Sequence, residues 1–218
     1  MIAVEFDRVT KQIGKNKVIK DVSFTIPAGI VCGLEGVNGS GKTMIMRLIA
    51  GLIYPTSGTV TVFGKILGKE ISFPESLGAL IENPAFLNSY TAFQNLKTLA
   101  SIRKAISDDE IIFTLNRVGL DINDISKKKY KKFSLGMKQR LGIAAAIMEK
   151  PEIILLDEPT NSLDEMSVAR VIDIIKEEKN RGATIIISCH NSRILDKISD
   201  LIFTVEAGMI VQQRGGIK

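Results

Sequence analysis

The sequence predicts an α/β fold: a parallel sheet covered by helices, preceded by a small antiparallel β subdomain and interrupted by a helical insertion. Three observations carry this. The runs "IVCGL" from Ile30, "IILL" from Ile153 and "TIIIS" from Thr184 are apolar without alternation, as strands buried on both faces are. Between the second and third, "SVARVIDIIKEEKNRG" sets Val168, Val171, Ile172 and Ile175 at helical spacing and stops at Gly182. Strand, helix, strand is the unit of a parallel sheet. By contrast "AVEFDRVT", "VSFTI" and "GTVTVFG" alternate and are bounded by turn residues, which places an antiparallel sheet near the N-terminus.

The remaining elements follow in order. From Thr91 to about Asn123, "AFQNLKTLASIRKAI" and "DDEIIFTLNRVGL" present apolar residues three or four apart and read as a helical lobe. Near the end, "LIFTVEAGMIVQQ" reads as a hairpin turning at Ala207 and Gly208. The expected organisation is one domain with residues 1–86 as antiparallel β subdomain and first part of the core, 87–150 as helical subdomain, and 151–218 as the rest of the core.

Composition narrows the class. With 218 residues and 45% apolar content the chain can bury a sizeable core. Its longest uninterrupted apolar or glycine run, Leu141 to Met148, is far short of the ~20 residues that cross a bilayer. Glu5 and Asp7 stand where a signal peptide would need its apolar stretch. Cys32 and Cys189 adjoin apolar strands without metal-ligand spacing, so reduced core thiols and a cytosolic setting are expected. The net charge of +5 is unevenly placed: Lys127, Lys128, Lys129, Lys131 and Lys132 surround Tyr130. That run reads as a solvated turn, with two functional alternatives, a surface for anionic lipid or nucleic acid and a positive field near a bound nucleotide.

The chemistry begins at "GVNGSGKT", Gly36 to Thr43, which fits G-x-x-x-x-G-K-[ST] with an apolar strand before it and the helical "MIMRLIAGL" after it. Glycines at 36, 39 and 41 let the backbone approach phosphate oxygens. The amide groups of the loop, from Gly36 through Asn38, Gly39, Ser40 and Gly41, converge there, and the helix beginning near Met44 adds its dipole. Lys42 would reach the β and γ phosphates and Thr43 would bind Mg²⁺. This is the phosphate-binding loop of a P-loop NTPase. "IILLDEP" supplies its partner: Asp157 at a strand end to hold Mg²⁺, and Glu158 to orient and deprotonate an attacking water. His190, the chain's one histidine, follows the third parallel strand at the end where such sheets bind ligands, and is a candidate γ-phosphate contact.

A second anion site stands at "FSLGMKQR", where Ser134 and Gly136 precede a helix-like run. Serving this chain's own phosphates it would compete with the loop at Gly36. It makes sense if a second copy supplies the nucleotide, each copy burying an ATP between its own phosphate loop and its partner's serine-glycine helix start.

These motifs together resemble the ATP-binding subunit of an ABC transporter, nearly end to end. "GVNGSGKT" resembles Walker A, "FSLGMKQR" the signature, "IILLDEP" Walker B, "NSLD" from Asn161 to Asp164 the D-loop, and His190 the switch histidine. The resemblance implies a RecA-like core, a nucleotide-sandwich dimer with Asp164 near the shared site, and base-side contacts from Ile13 and Val18. Three departures stand out. Leu135 and Met137 to Lys138 break the LSGGQ pattern while Ser134 and Gly136 remain. Glu82 occupies the place of the family's Q-loop glutamine, where it could ligate Mg²⁺ or orient water while adding negative charge beside Glu158. Ile13 replaces the aromatic that normally stacks on adenine.

"SLGMKQRLGIA" with "ALIENPAF" is similar, more narrowly, to the bacitracin-export and lantibiotic-immunity branch of peptide-antibiotic exporters. That implies ATP and Mg²⁺ as cofactors, a second nucleotide-binding subunit, and a separate membrane permease holding the chain at the cytoplasmic face of the cell membrane. Phe86, Leu87 and Tyr90 are either its docking residues or lobe core. Direct nucleic-acid binding is not expected. The competing reading is a non-transport ABC-type ATPase acting on ribosome or nucleic acid. Such translation factors generally carry two cassettes, whereas each motif occurs once here, and the DNA-repair class separates its motifs by coiled coil, whereas Thr43 to Ser134 holds no sustained heptads.

Overall fold

The computed structural model describes residues 1–103, 105–190 and 192–216. Strands β1 (Ile2–Ile13) and β2 (Asn16–Pro27) form a long antiparallel pair, followed by β3 (Val31–Glu35) and helix α1 (Lys42–Ile49). Next come β4 (Ser57–Val62), β5 (Lys65–Ile66) and β6 (Leu77–Leu80). The helical lobe contains α2 (Ala92–Arg103), α3 (Asp108–Arg117), α4 (Ile122–Ile125) and α5 (Leu135–Ile147). The chain then runs β7 (Ile153–Asp157), α6 (Glu165–Asn180), β8 (Thr184–Ser188), α7 (Ser192–Ile198), β9 (Leu201–Glu206) and β10 (Met209–Gly215).

Two sheets result. One is antiparallel in the order β2-β1-β4-β5, and the other has six strands in the order β10-β9-β3-β8-β7-β6. In the second, every pairing is parallel except that of β10 with β9. Its central strands are buried on both sides, and successive residues serve different cores. Ile154, Leu156, Ile185 and Ile187 pack with the helical lobe, while Ile153, Leu155 and Ile186 pack with the antiparallel sheet and α1. That is why the runs show no alternation.

The first sheet alternates with one correction. Val4 and Phe6 point inward, and so does Val9, which strict two-residue periodicity would turn outward. A register shift between Phe6 and Val9, with Arg8 at φ 47°, restores the inward face. Asp21, at φ 51°, separates buried Ile19 from buried Val22 in the same way on β2.

The apolar runs predict three strands of the parallel sheet, and among the described residues the fold has five. The sequence predicts β9 only as a hairpin arm, yet it also lies parallel to β3. β6, "LGAL", carries too few large apolar residues to stand out, because it is pressed against α5. A Cβ added at Gly78 would lie 1.7 Å from the carbonyl oxygen of Ala146. Gly78→Ala should therefore destabilise the protein by about 3 kcal/mol, lowering Tm by roughly 6 to 12 °C in thermal unfolding for a domain of this size.

The lobe's helices are capped by their own sequence. Ser107 and Glu110 form a reciprocal capping box on α3, and Thr91 and Gln94 exchange the equivalent bonds at α2. Arg117 of α3 reaches α6, bonding Glu178 at 2.6 Å and Glu177 at 2.7 Å, so the lobe is fixed to the core away from the sheet. No disulfide joins Cys32 and Cys189, both of which are buried. Among the described residues no helix is long and apolar enough to cross a membrane.

Candidate functional site

The strand β3 delivers the chain into the loop from Gly36 to Gly41 at the C-terminal edge of the sheet, and α1 begins immediately after it. Gly41 caps that helix at φ 119°, a conformation a side chain would strain. Lys42 is buried, and its Nζ donates to the carbonyls of Gly36 at 2.7 Å and Val37 at 3.0 Å, drawing the loop into a ring. The Ser40 hydroxyl is buried with no hydrogen-bond partner among the described residues. The hairpin turn of β9 and β10 closes the loop from outside, where Gly208 donates its N–H to the Ser40 carbonyl at 2.8 Å.

A cleft of about 480 Å³ opens on this loop. Asn38, Gly39, Gly41, Lys42, Thr43 and Met44 line it together with Val18, Asp157 and Glu158. Thr43 Oγ1 donates to Asp157 Oδ2 at 2.7 Å, and the opposite carboxylate oxygen accepts from Ser188 Oγ at 2.5 Å. Asp157 is thereby aimed at the hydroxyl at the start of α1. This donor set fits Mg²⁺, which takes one or two protein oxygens and completes its shell with substrate phosphates and water. No group of three or more His, Cys, Asp or Glu that could hold a metal occurs among the described residues, so no all-protein cage competes with that arrangement.

Glu158 follows in a left-handed backbone conformation, φ 49°, held from both sides. Its N–H donates to Ser188 Oγ at 2.9 Å and its carbonyl accepts from Gln139 Nε2 of α5 at 3.0 Å. The carboxylate lies beside His190: Oε2 accepts the His190 backbone N–H at 3.3 Å, and Oε1 is 3.2 Å from His190 Nε2. That second contact is close enough for attraction but is not aligned as a hydrogen bond, so among the described residues buried Oε1 keeps an open acceptor site. Burial pushes the Glu158 carboxyl above the usual glutamate range, against the opposing pull of His190 and Lys42. A carboxylate tuned upward with one free oxygen suits a general base.

The other predicted residues lie around this centre rather than in it. Glu82 lines a neighbouring cleft of about 450 Å³ together with Asp157, Glu158 and Gln139, and its carboxylate is paired with Arg47 of α1 at 2.6 Å. Ser134 caps α5, its hydroxyl accepting from Met137 N at 3.2 Å, and Gly136 packs near the Ser162 carbonyl. Asp164 caps α6, accepting from Ser167 N at 2.7 Å, and this backbone bond holds its carboxyl below the usual range. Ser134, Gly136 and Asp164 line neither cleft. Ile13 ends β1, half exposed and opposite Asn16, and does not line the 480 Å³ cleft.

Several contributors escaped sequence reading. Lys17, Lys20, Ala207 and Gly208 line the main cleft, brought there by strand pairing and the terminal hairpin. Ser188, Gln139 and Arg47 position the acids the motifs predict. Only Ser188 had a local signal, being the polar end of an apolar strand.

Comparison with known proteins agrees with this geometry. The ABC transporter family matches residues 19–161. The chain is 49% identical over 207 residues to an uncharacterized ABC transporter ATP-binding protein, YybJ, of Bacillus subtilis (strain 168), covering 95% of this chain and 94% of the relative. It is 37% identical to the bacitracin transport ATP-binding protein BcrA of Enterococcus faecalis, over 96% of this chain and 68% of that protein. It is 35% identical to the lantibiotic transport ATP-binding protein SrtF of Streptococcus pyogenes, over 97% and 90% respectively. Among solved structures, an ATP binding subunit of an ABC transporter superimposes with a TM-score of 0.86 at 25% identity, covering 98% of this chain and 90% of that one. A dimeric post-hydrolysis state of the ATP-binding cassette MJ0796, bound to ADP and Pi, has the same fold, with a TM-score of 0.88 at 22% identity over 98% of this chain and all of that one.

A P-loop cassette with its lobe, signature helix and paired acids in this arrangement is an ABC ATPase. The chain belongs to the ABC transporter family, as one of its ATP-binding proteins.

Proposed function

We propose that this chain is the ATP-hydrolysing subunit of an exporter for a peptide antibiotic or similar amphipathic compound, held by a separate permease at the cytoplasmic face of the membrane. The observation that carries the catalytic part is the convergence of Lys42 and Thr43 with Asp157 and Glu158 on one cleft. The cargo class is supported by similarity to the bacitracin and lantibiotic transport proteins.

In this reading Lys42 binds the β and γ phosphates. Thr43 and Asp157 would hold Mg²⁺, which when bound would neutralise charge on the phosphates. Glu158 accepts a proton from a water as its oxygen attacks the γ phosphorus and the bond to the ADP oxygen breaks. The proton then passes to phosphate. His190 holds Glu158 in place and faces the γ-phosphate, and Ser188 and Gln139 fix the strained backbone that aims it. Arg47 offsets the charge of Glu82, which stands where the family carries a neutral glutamine. The Ser134-capped end of α5 serves the nucleotide of a second copy, which is why it lies outside this chain's own cleft.

The test is purification from membranes of the native host with ATP hydrolysis measured alongside. Recovery of a multi-spanning partner that alters the hydrolysis rate, and increased sensitivity of cells lacking the chain to peptide antibiotics, are the expected results. Recovery of ribosomes or DNA in place of a membrane partner would overturn the transport reading. An unchanged sensitivity profile would overturn the cargo class alone.

A further inference from the structure

The catalytic account uses only part of the main cleft. Lys42, Thr43, Asp157, Glu158 and the loop residues beside them serve the triphosphate, which leaves Lys17, Val18 and Lys20 of β2 with Ala207 and Gly208 of the hairpin turn for the nucleoside. These residues are fixed to the phosphate loop. Lys20 N–H donates to the Gly208 carbonyl at 2.8 Å, Gly208 N–H donates to the Ser40 carbonyl at 2.8 Å, and a Cβ added at Gly208 would lie 2.5 Å from the Val18 carbonyl oxygen.

Among the described residues that line the cleft none is aromatic. An aromatic face stacks on any base; without one, polar side chains decide which base is held. Here they are donors. Lysine offers three N–H donors and no acceptor, and Lys17 and Lys20 are exposed, with neither ammonium bonded to another group among the described residues. The cleft's side-chain acceptors, Asn38, Thr43, Asp157 and Glu158, all belong to the phosphate-loop motif or to the paired acids. Beside N7, adenine presents an amino group that needs an acceptor, whereas guanine presents a second acceptor, O6.

We propose that the cleft accepts guanine nucleotides at least as well as adenine nucleotides, with Lys17 and Lys20 donating to O6 and N7 of the base. This rests on the reading of the cleft as a nucleoside triphosphate site. The chemical step is the one given for ATP: a water oxygen bonds to the γ phosphorus of GTP as the bond to the GDP oxygen breaks, and the proton taken by Glu158 passes to phosphate. Val18 supplies the apolar contact beside the base, and it favours neither purine.

The test is equilibrium titration of the full chain with Mg·ATP, Mg·GTP and Mg·ITP, the last of which keeps O6 and N7 but lacks the 2-amino group of guanine. The Kd for GTP is expected at or below that for ATP, with ITP matching GTP. A Lys17→Met, Lys20→Met variant keeps the side-chain length and removes the donors, and should raise the Kd for GTP and ITP roughly tenfold, the loss of two modest hydrogen bonds, while ATP changes less than threefold. The charge-matched Lys15→Met, Lys69→Met variant, altered outside the cleft, should leave all three unchanged. Tenfold or greater preference of the parent for ATP would overturn the proposal. So would equal weakening of ATP and GTP in the first variant, which would assign the lysines to phosphate, or equal loss in the two variants, which would reduce the effect to net charge. Failure to bind any of the three nucleotides would instead overturn the catalytic reading on which the proposal rests.

Discussion

Glu158→Gln is expected to lower steady-state ATP hydrolysis by ~10²- to 10⁴-fold, the usual cost of removing a general base, while leaving nucleotide binding intact. The amide keeps the size of the side chain but cannot take a proton from water. The strained backbone, at φ 49°, is held by bonds from Ser188 and Gln139 to main-chain atoms, which the substitution leaves in place. Buried Oε1, without a hydrogen-bond partner among the described residues, is the group whose chemistry is lost. Phosphate release assays paired with equilibrium binding of a fluorescent ATP analogue separate the two effects. A rate within threefold of the parent would remove Glu158 from the mechanism.

Lys42→Ala acts on binding instead. In the structure the ammonium bonds two loop carbonyls, so its removal loosens the ring as well as deleting the positive charge that meets the phosphates. Truncating one member of a buried charged pair costs about 2 to 5 kcal/mol, which corresponds to a Kd for Mg·ATP raised by roughly 30- to several thousand-fold. Isothermal titration measures it directly. The two variants thus differ in kind: one binds without turning over, and the other fails to bind at ordinary nucleotide concentrations.

Legibility in the sequence followed the reach of the interactions. The strands buried on both faces announced themselves because each residue meets one of two apolar cores, and the phosphate loop did so because strand, glycines, Lys-Thr and helix are contiguous. β6 stayed hidden since its close approach to α5 requires small residues, which carry little apolar signal. Arg8 and Asp21 gave no sign of the bulges that keep Val9 and Val22 inward. The same division runs through the site. Asp157 and Glu158 are legible as acids at a strand end, whereas their supports, Ser188 and Gln139, are set by tertiary packing. Glu82 was legible only as a departure from a family pattern, and nothing in its neighbourhood along the chain foretold Arg47. Lys17, Lys20 and the turn at Ala207 and Gly208 reach the cleft from both ends of the chain, a proximity created by the two sheets closing around the loop.

In the proposed dimer the nucleotide is shared between copies, with Ser134 acting on the far side of a partner's ATP. Its most direct test is the mass of Glu158→Gln protein under saturating Mg·ATP, by analytical ultracentrifugation, with and without Ser134→Arg in the same chain. The predicted result is a species of twice the 23.9 kDa chain mass, reverting to monomer when Ser134→Arg is added even though ATP still binds at Lys42. A Glu158→Gln chain that stays monomeric with ATP bound, or a double variant that pairs as tightly as the single one, would contradict it.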